Sequence, residues 1–449
     1  MFPKELSSGP MSLTADRDSY ALSLAVELND DGSIDPTSAY ITPSLINVKY
    51  RLAYDEVDEM LECGVAYFEE WELGALLDEA NKRRKYRIAC GSTEGFVPNP
   101  IPQAELRVVE KDDDVEIILT VEVTHNSGLN QSEAVLNMDS TADLDFAPPV
   151  SSAFVLVTEM MIMSGEAMGK MKGVLESLQR PGDESDELPT LENELDLPYR
   201  TQPRPDFAKK YQEVNTLESL KNKGYCHAWY ARRFFEPVQV KAEALPHNGL
   251  GIDCYVQWTS PIRRFSDLQV HASVKRFLRR QKVNQLMKAG KPIPENLTAS
   301  DLGCEIPRQV ESSKSESGLY TEYKLEQSGG EHVVNYKKGL GFVNAAKMVQ
   351  RKSREYWLFE FVRRQVEESD SEIAFETTVL ACIDPLRQQY AIFVHELGLE
   401  HRYLSEQGEL PSGKKLWLKV SNVQPRLGLL TFTLSSKYGG RSAKFVQAP

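Results

Sequence analysis

Two adjacent arginines, Arg263 and Arg264, follow a Ser-Pro in "WTSPIRRFSDLQVH", residues 258–271. Ser-Pro ahead of mixed apolar and polar residues reads as a helix start. Ser260 can accept from free backbone N–H groups, and Pro261 costs nothing at the first helical position, where an N–H would be unpaired anyway. The first turn of a helix carries partial positive charge and favours acids. Two cations there call for an anion, since free N–H groups beside two guanidinium forks make a phosphate cradle. A structural alternative stands beside this one. A helix from Pro261 puts Arg263, Asp267 and His271 at successive i,i+4 positions as a salt-bridge ladder, with Ile262, Phe265, Leu268 and Ala272 as its apolar stripe.

Other chemistry is thinly represented. Gly249 and Gly251 in "HNGLGIDCY" mark a tight turn or a close backbone approach, and they do not form a dinucleotide fingerprint after a strand. No G-x-S-x-G elbow and no phosphate-binding G-x-x-x-x-G-K-[ST] loop occurs. Acids cluster at Asp30 and Asp31, at Asp112, Asp113 and Asp114, and at Asp139, Asp143 and Asp145. Such groups can hold magnesium, but acids at turns usually serve the turn. The six cysteines and seven histidines are scattered without metal-ligand spacing, which fits free thiols in a reducing compartment and no zinc site.

These residues need elements to hold them. In 449 residues, enough for two or three domains, "YALSLAVELNDDGSID" and "SAYITPSLINVKY" alternate as a hairpin. "YDEVDEMLECG" and "FEEWELGALLDEANKRRKYR" then carry helical spacing. "AELRVVEKDDDVEIILTVEVTH" is a second hairpin, and "SSAFVLVTEMMIMSGEAMGKMKGVLESL" a long apolar helix. Residues 181–196 hold seven acids and no base, and read as a solvated insertion or an acidic latch. Residues 216–236 look helical, 272–291 hold seven bases and no acid, 296–335 are polar and expected to be partly disordered, and 340–367 are helical. Five short alternating runs from about 372 to 437 predict a small barrel of the OB type. The net charge of −14 argues against a general polyanion binder, so local distribution must decide. No run approaches the roughly 18 to 20 apolar residues that span a bilayer.

"HNGLGIDCYVQWTSPIRRFSDLQVH" resembles the signature near the end of the catalytic domain of the ribonuclease II family, the RNB domain. The likeness runs through His247, Gly249, Gly251, Tyr255, Thr259, Ser260, Pro261, Ile262, Arg263, Arg264, Asp267, Leu268 and His271. "MFPKELSSGPMSL", "YRLAYDEVDEML" and "VTEMMIMSGEAM" resemble further family segments, and the barrel resembles the family's terminal RNA-binding OB module. The likeness is to organellar members of plants and algae, so a chloroplast or mitochondrion is expected, with the cytoplasm as the alternative. The resemblance implies an α+β fold: an RNB domain over 1–280, a basic helical connector over 281–370, and an OB domain over 371–440. It also implies a 3′-to-5′ exoribonuclease, a monomer with no membrane, which uses magnesium and releases nucleoside 5′-monophosphates from single-stranded RNA. Arg263 falls on the catalytic-pocket arginine that contacts the phosphate near the scissile bond, and Arg264 is a second phosphate contact. Tyr54 falls on the aromatic near the 3′-terminal nucleotide, and Glu159 on a helix glutamate near the RNA end. Thr259 and Ser260 are expected RNA contacts in the same motif. The family's magnesium motif, D-x5-D-x-D-D, has no counterpart in this sequence, and a late glutamate is replaced by Gln350 or Arg351. The expectation is an N-terminally incomplete enzyme that binds RNA with little or no hydrolysis; the other reading is an RNA-binding protein with a degenerate RNB domain.

Overall fold

The structure, a computed structural model, describes residues 2–9, 11–15, 17–63, 71–92, 101, 103–111, 114–122, 151–178, 195–204, 211–220, 223–294, 297, 301–302, 336–369 and 372–435. Expectations for Asp112, Asp113, Asp139, Asp143, Asp145, residues 181–194 and almost all of 296–335 fall outside these residues.

After a single helical turn, the chain forms the hairpin β1 (Asp18–Leu28) and β2 (Ile34–Asn47), then helices α1 (Tyr54–Cys63) and α2 (Trp71–Ala89). A second hairpin, β3 (Gln103–Lys111) and β4 (Asp114–Glu122), precedes helix α3 (Ser152–Leu178). There follow β5 (Tyr199–Thr201), α4 (Tyr211–Ser219), α5 (Gly224–Arg232), β6 (Gln239–Lys241), α6 (Phe265–Lys288) and α7 (Tyr336–Glu368). The last strands are β7 (Ala374–Asp384), β8 (Gln389–Val394), β9 (Leu399–Leu404), β10 (Lys415–Gln424) and β11 (Leu429–Leu434). Among the described residues, no helix is long and apolar enough to cross a membrane.

Two compact units result, each drawn from three stretches of chain. The first takes Met1–Thr93, Ser151–Pro203 and Pro237–Leu340, and the second Glu94–Val150, Arg204–Glu236 and Gly341–Pro449. The two units therefore interleave along the chain. Packing explains this: Leu106 and Leu119 of β3–β4 lie against the barrel core, and Cys226 and Ala228 of α5 join Leu380, Ala391 and Phe393.

In the first unit, α3 is largely apolar and mostly buried, and its interior acids Glu159 and Glu166 pair with Arg87 and Arg83. Ser151 caps it by accepting from the Phe154 N–H at 3.0 Å, and Asp58 of α1 accepts from Ala153 N–H at 2.8 Å. Met168 of α3, Val270, Val274 and Phe277 of α6, Trp258, and Leu22, Leu24 and Ile41 of the hairpin share one core. The hairpin turn accounts for one acid cluster. Hydrogen bonds from Ser33, first from its side chain and then from its N–H at 2.8 Å, hold the Asp31 carboxyl below the usual range. Gly32, at φ +85°, lets the turn press on α2, where a Cβ would come within 2.7 Å of the Lys82 carbonyl oxygen.

The second unit contains the expected barrel. Its antiparallel sheet runs β11-β10-β7-β8-β9. His401 Nε2 on β9 lies 2.7 Å from the Leu430 carbonyl oxygen on β11, so side chains bridge the two edge strands and nearly close the barrel. Leu358, Phe359 and Val362 of α7 complete its core with Phe375, Ile392, Leu418 and Phe432. Asp114, from another acid cluster, pairs with Arg364 of α7 at 3.1 Å.

Candidate nucleic-acid interface

The segment from His247 to Arg264 is laid over α3 and fixed at almost every step. It begins with a tight turn in which Leu250 N–H donates to the His247 carbonyl at 3.0 Å and Gly251 N–H to the Asn248 carbonyl at 3.1 Å. Both glycines do what their spacing implied. A Cβ at Gly249 would meet Gln202 Oε1 at 2.2 Å; Gly251 has φ +68°, and a Cβ there would meet the Arg87 carbonyl oxygen at 2.3 Å. Arg87 donates to the Leu250 carbonyl at 2.8 Å and to Glu159 Oε2 at 2.9 Å, so it ties the turn to α3.

The chain then runs along α3. Val256 N–H donates to the Gly165 carbonyl at 3.0 Å, and the Trp258 indole N–H reaches Ser164 Oγ at 3.0 Å. Gly165 makes the approach possible, since a Cβ there would come within 2.2 Å of the Tyr255 ring. Beyond Trp258 the backbone turns. Arg263 and Arg264 N–H groups both donate to the Ser260 carbonyl, at 3.3 and 3.0 Å.

Here the structure corrects the sequence expectation. α6 begins at Phe265, four residues after Pro261, with Arg264 as an extended N-cap residue that makes no side-chain cap bond. Ser260 does not cap the helix. The cause is Asp267, whose buried carboxylate accepts from the Ser260 N–H at 2.8 Å and pairs with Arg264 at 3.7 Å. That contact folds 260–264 into a turn of its own. The Arg263–Asp267–His271 ladder does not form, because His271 Nε2 lies 2.9 Å from the Trp258 carbonyl oxygen instead. The stripe also shifts: Phe265 and Ala272 are exposed, and Val270, Val274 and Phe277 face the core. Asp267 supplies the acid that a helix start favours.

The turn gathers Thr259, Ser260, Arg263 and Arg264. Arg263 is exposed, and no side-chain partner lies in reach among the described residues. Thr259 Oγ1 is buried without a hydrogen-bond partner there. Arg200 on β5, which no sequence signal marked, donates to Gln257. Arg200 and then Arg264 pull against the upward shift that burial gives the Tyr255 phenol. Burial, reinforced by Arg200, drives His247 down to about 4, so its ring is neutral. The region carries positive charge on a neutral, buried base.

The other expected contacts lie along α3. Tyr54 is half exposed at the first residue of α1, its ring 6.0 Å from that of Phe154. Glu56 fixes that turn by accepting from the Ala53 N–H at 2.7 Å. Phe154 and Ser164 stand ten residues apart, about 15 Å along a helix axis. Glu159 is 1% exposed and spends both carboxylate oxygens on Arg87. Its place is inside the scaffold, not on a surface that RNA touches. Among the described residues, no three His, Cys, Asp or Glu side chains converge to hold a metal.

An uncharacterized ribonuclease of Synechocystis is 28% identical over 434 residues, 96% of this chain and 49% of the relative. The chloroplastic/mitochondrial ribonuclease II of Arabidopsis thaliana is 28% identical over 280 residues, 62% of this chain and 28% of the relative. The chain thus spans about half the length of the first of these relatives or less. Among solved structures, RNase R of Mycoplasma genitalium matches in its apo form with a TM-score of 0.58 at 15% identity. In complex with ribose-methylated single-stranded RNA it matches with a TM-score of 0.56 at 14% identity. Each covers 97% of this chain and 60% of the RNase R chain, and shows a shared fold. The model of the RNB domain matches residues 1–280, which include the whole scaffold from the first hairpin to the arginine turn, and the chain belongs to the RNB-domain family.

Proposed function

We propose that this chain serves 3′-to-5′ exoribonucleolysis of the ribonuclease II type, releasing nucleoside 5′-monophosphates from single-stranded RNA, and that its first unit supplies the grip on the RNA. The observation that carries the reading is the 260–264 turn, where Arg263 and Arg264 project from a backbone locked by Asp267. Guanidinium groups held in this way engage a phosphate by charge-assisted hydrogen bonds. Ser260, Thr259 and Arg200 line the same phosphate, and the exposed ring of Tyr54 stacks a base, a grip that tolerates any sequence. Family membership and the RNA held by the Mycoplasma enzyme support this reading.

Magnesium is the metal such hydrolysis uses, and the described residues offer it no donor set. Taken alone, the chain holds RNA and cuts it little or not at all. It acts as a monomer in a chloroplast or mitochondrion, a placement supported by the Arabidopsis relative. The same lack of donors among the described residues favours a second reading, an RNA-binding protein with a non-catalytic RNB domain. Incubating the chain with 5′-labelled single-stranded RNA and magnesium tests these. Binding without a cleavage ladder is expected. A ladder that vanishes in Arg263→Ala overturns the inert chain and keeps the nuclease; failure to bind overturns the RNA reading.

A further inference from the structure

In the second unit, the end of the barrel that carries the β7–β8 turn presents apolar side chains to water. Asp384 pairs with Gln389, and Gln389 with Leu404, so the end of β7, the start of β8 and the end of β9 lie side by side. Leu386, at the tip of the turn, is 98% exposed, Leu404 is 60% exposed and Ile383 41%. One exposed leucine is ordinary. Three large apolar side chains gathered at one end of a sheet, with charged residues around them, mark a surface that another protein covers.

The turn is built to hold Leu386 in that place. The Asp384 carboxylate accepts from the Leu386 and Arg387 N–H groups at 3.0 and 3.2 Å, and the Ser405 N–H donates to the Gln388 carbonyl at 3.0 Å. Gln388 takes φ +49°, a conformation uncommon for a residue other than glycine. The leucine is therefore presented on a backbone tied at each step.

Beside the patch lies a cleft of about 460 Å³, lined by Trp229, Arg232, Arg233, Ile383 and Arg402. Leu404 stands two residues from Arg402 on β9, so patch and cleft share one face of the sheet. Under the cleft, Cys226 and Ala228 of α5 pack with Ala391 and Phe393 of β8, which makes a firm apolar base. Its cations differ in how far they are engaged. Glu400 holds Arg232 at 2.7 and 2.8 Å, and the Arg233 guanidinium lies over the Trp229 ring at 5.2 Å. Arg402 is exposed, and no side chain among the described residues pairs with it.

This pattern selects the class of occupant. A nucleic-acid strand would set its phosphates beside Glu400 and Asp384 and leave Leu386 in water. A protein segment with a bulky apolar side chain and a nearby carboxylate satisfies both the leucines and Arg402. Tryptophan and arginine at the rim of a pocket are the groups that carry most of the energy in protein interfaces. We propose that the Trp229–Ile383–Arg402 cleft and the Leu386–Leu404 patch dock an acidic segment of another protein, its apolar side chain seated in the cleft and its carboxylate on Arg402. The proposal is independent of the RNA reading.

The full chain, in EDTA and without RNA, is applied to an array of 12-residue peptides in which leucine and phenylalanine are flanked by glutamate, by lysine or by serine. The glutamate set is expected to be retained about ten-fold more strongly than the others. Leu386→Ser/Leu404→Ser and Arg402→Glu should each lower that retention about ten-fold, and Arg402→Glu should move the preference to the lysine set. Both variants change exposed side chains, and circular dichroism checks that each is folded. Equal retention of the three sets, or retention of the glutamate set unchanged in the folded variants, overturns the proposal. If no peptide is retained while binding of a 20-nucleotide RNA weakens in Arg402→Glu, the face belongs to RNA and the proposal falls. If light scattering shows a dimer that Leu386→Ser/Leu404→Ser breaks, the occupant is a second copy of the chain and the proposal falls as well.

Discussion

The arginine turn of the first unit and the cleft of the second both gather guanidinium groups, by opposite means. Around the turn, charge is placed by buried charge. Arg87 and Glu159 pair in the interior to hold the 247–251 turn, and fully buried Asp267 sets the 260–264 backbone. Around the cleft the ion pair is on the surface, with Arg232 47% and Glu400 35% exposed, and the support beneath is apolar. Two charges buried together need each other, whereas an exposed pair is solvated either way. A cation that must meet one phosphate at one place needs the first design.

The largest effect should come from breaking the buried pair. Arg87→Met leaves Glu159 charged and unpaired in the interior, at a cost of about 3–5 kcal/mol in urea unfolding. Adding Glu159→Leu should restore most of that stability; failure to restore it would mean that the bond to the Leu250 carbonyl matters more than the ion pair. Next comes Asp267→Ala, which frees the Ser260 N–H and Arg264. It should cost about 1–3 kcal/mol and weaken RNA binding as much as Arg264→Ala does. Unchanged binding would show that the turn needs no carboxylate.

A pH titration sharpens the contrast. The folded His247 is lowered to about 4 from 6.5, so its neutral form stabilises the first unit above about pH 6.5 and that contribution is lost as pH falls toward 4. In the second unit, hydrogen bonds from Arg363 and then Arg364 hold Glu360 down to about 2, so its contribution is complete above 4.5 and lost only between 4.5 and 2. The His247 ring protons should titrate near pH 4 by NMR; a midpoint near 6.5 would mean the ring is solvated. The smallest effect belongs to Arg232→Gln, where loss of the exposed pair with Glu400 should change stability by about 0–1 kcal/mol. A loss like that of Arg87→Met would erase the distinction between the two designs.

Much of this was legible in residue order. Period-2 and period-3.6 patterns located both hairpins, α3, α7 and all five barrel strands, because one face of each is buried. Gly249 and Gly251 were readable as close approaches because few other causes place two glycines so near in a loop. The start of α6 was misread because its signal, Ser-Pro, is local, while the residue that sets it, Asp267, acts seven positions away on the Ser260 N–H. Glu159 was assigned to RNA because its partner, Arg87, lies 72 residues off in sequence. Arg200 and the α5–β9 cleft left no local signal at all, since their groups meet only through tertiary packing.

The central claim is that Arg263 and Arg264 hold an RNA phosphate. Measuring the affinity of the chain for single-stranded RNA across a range of salt concentrations, with and without Arg263→Ala/Arg264→Ala, tests it directly. For single strands, the slope of log affinity against log salt should flatten by about 0.7 for each phosphate contact removed. The account predicts weaker binding with a slope shallower by about 0.7 or more. Equal slopes and equal affinities for the two proteins would contradict it.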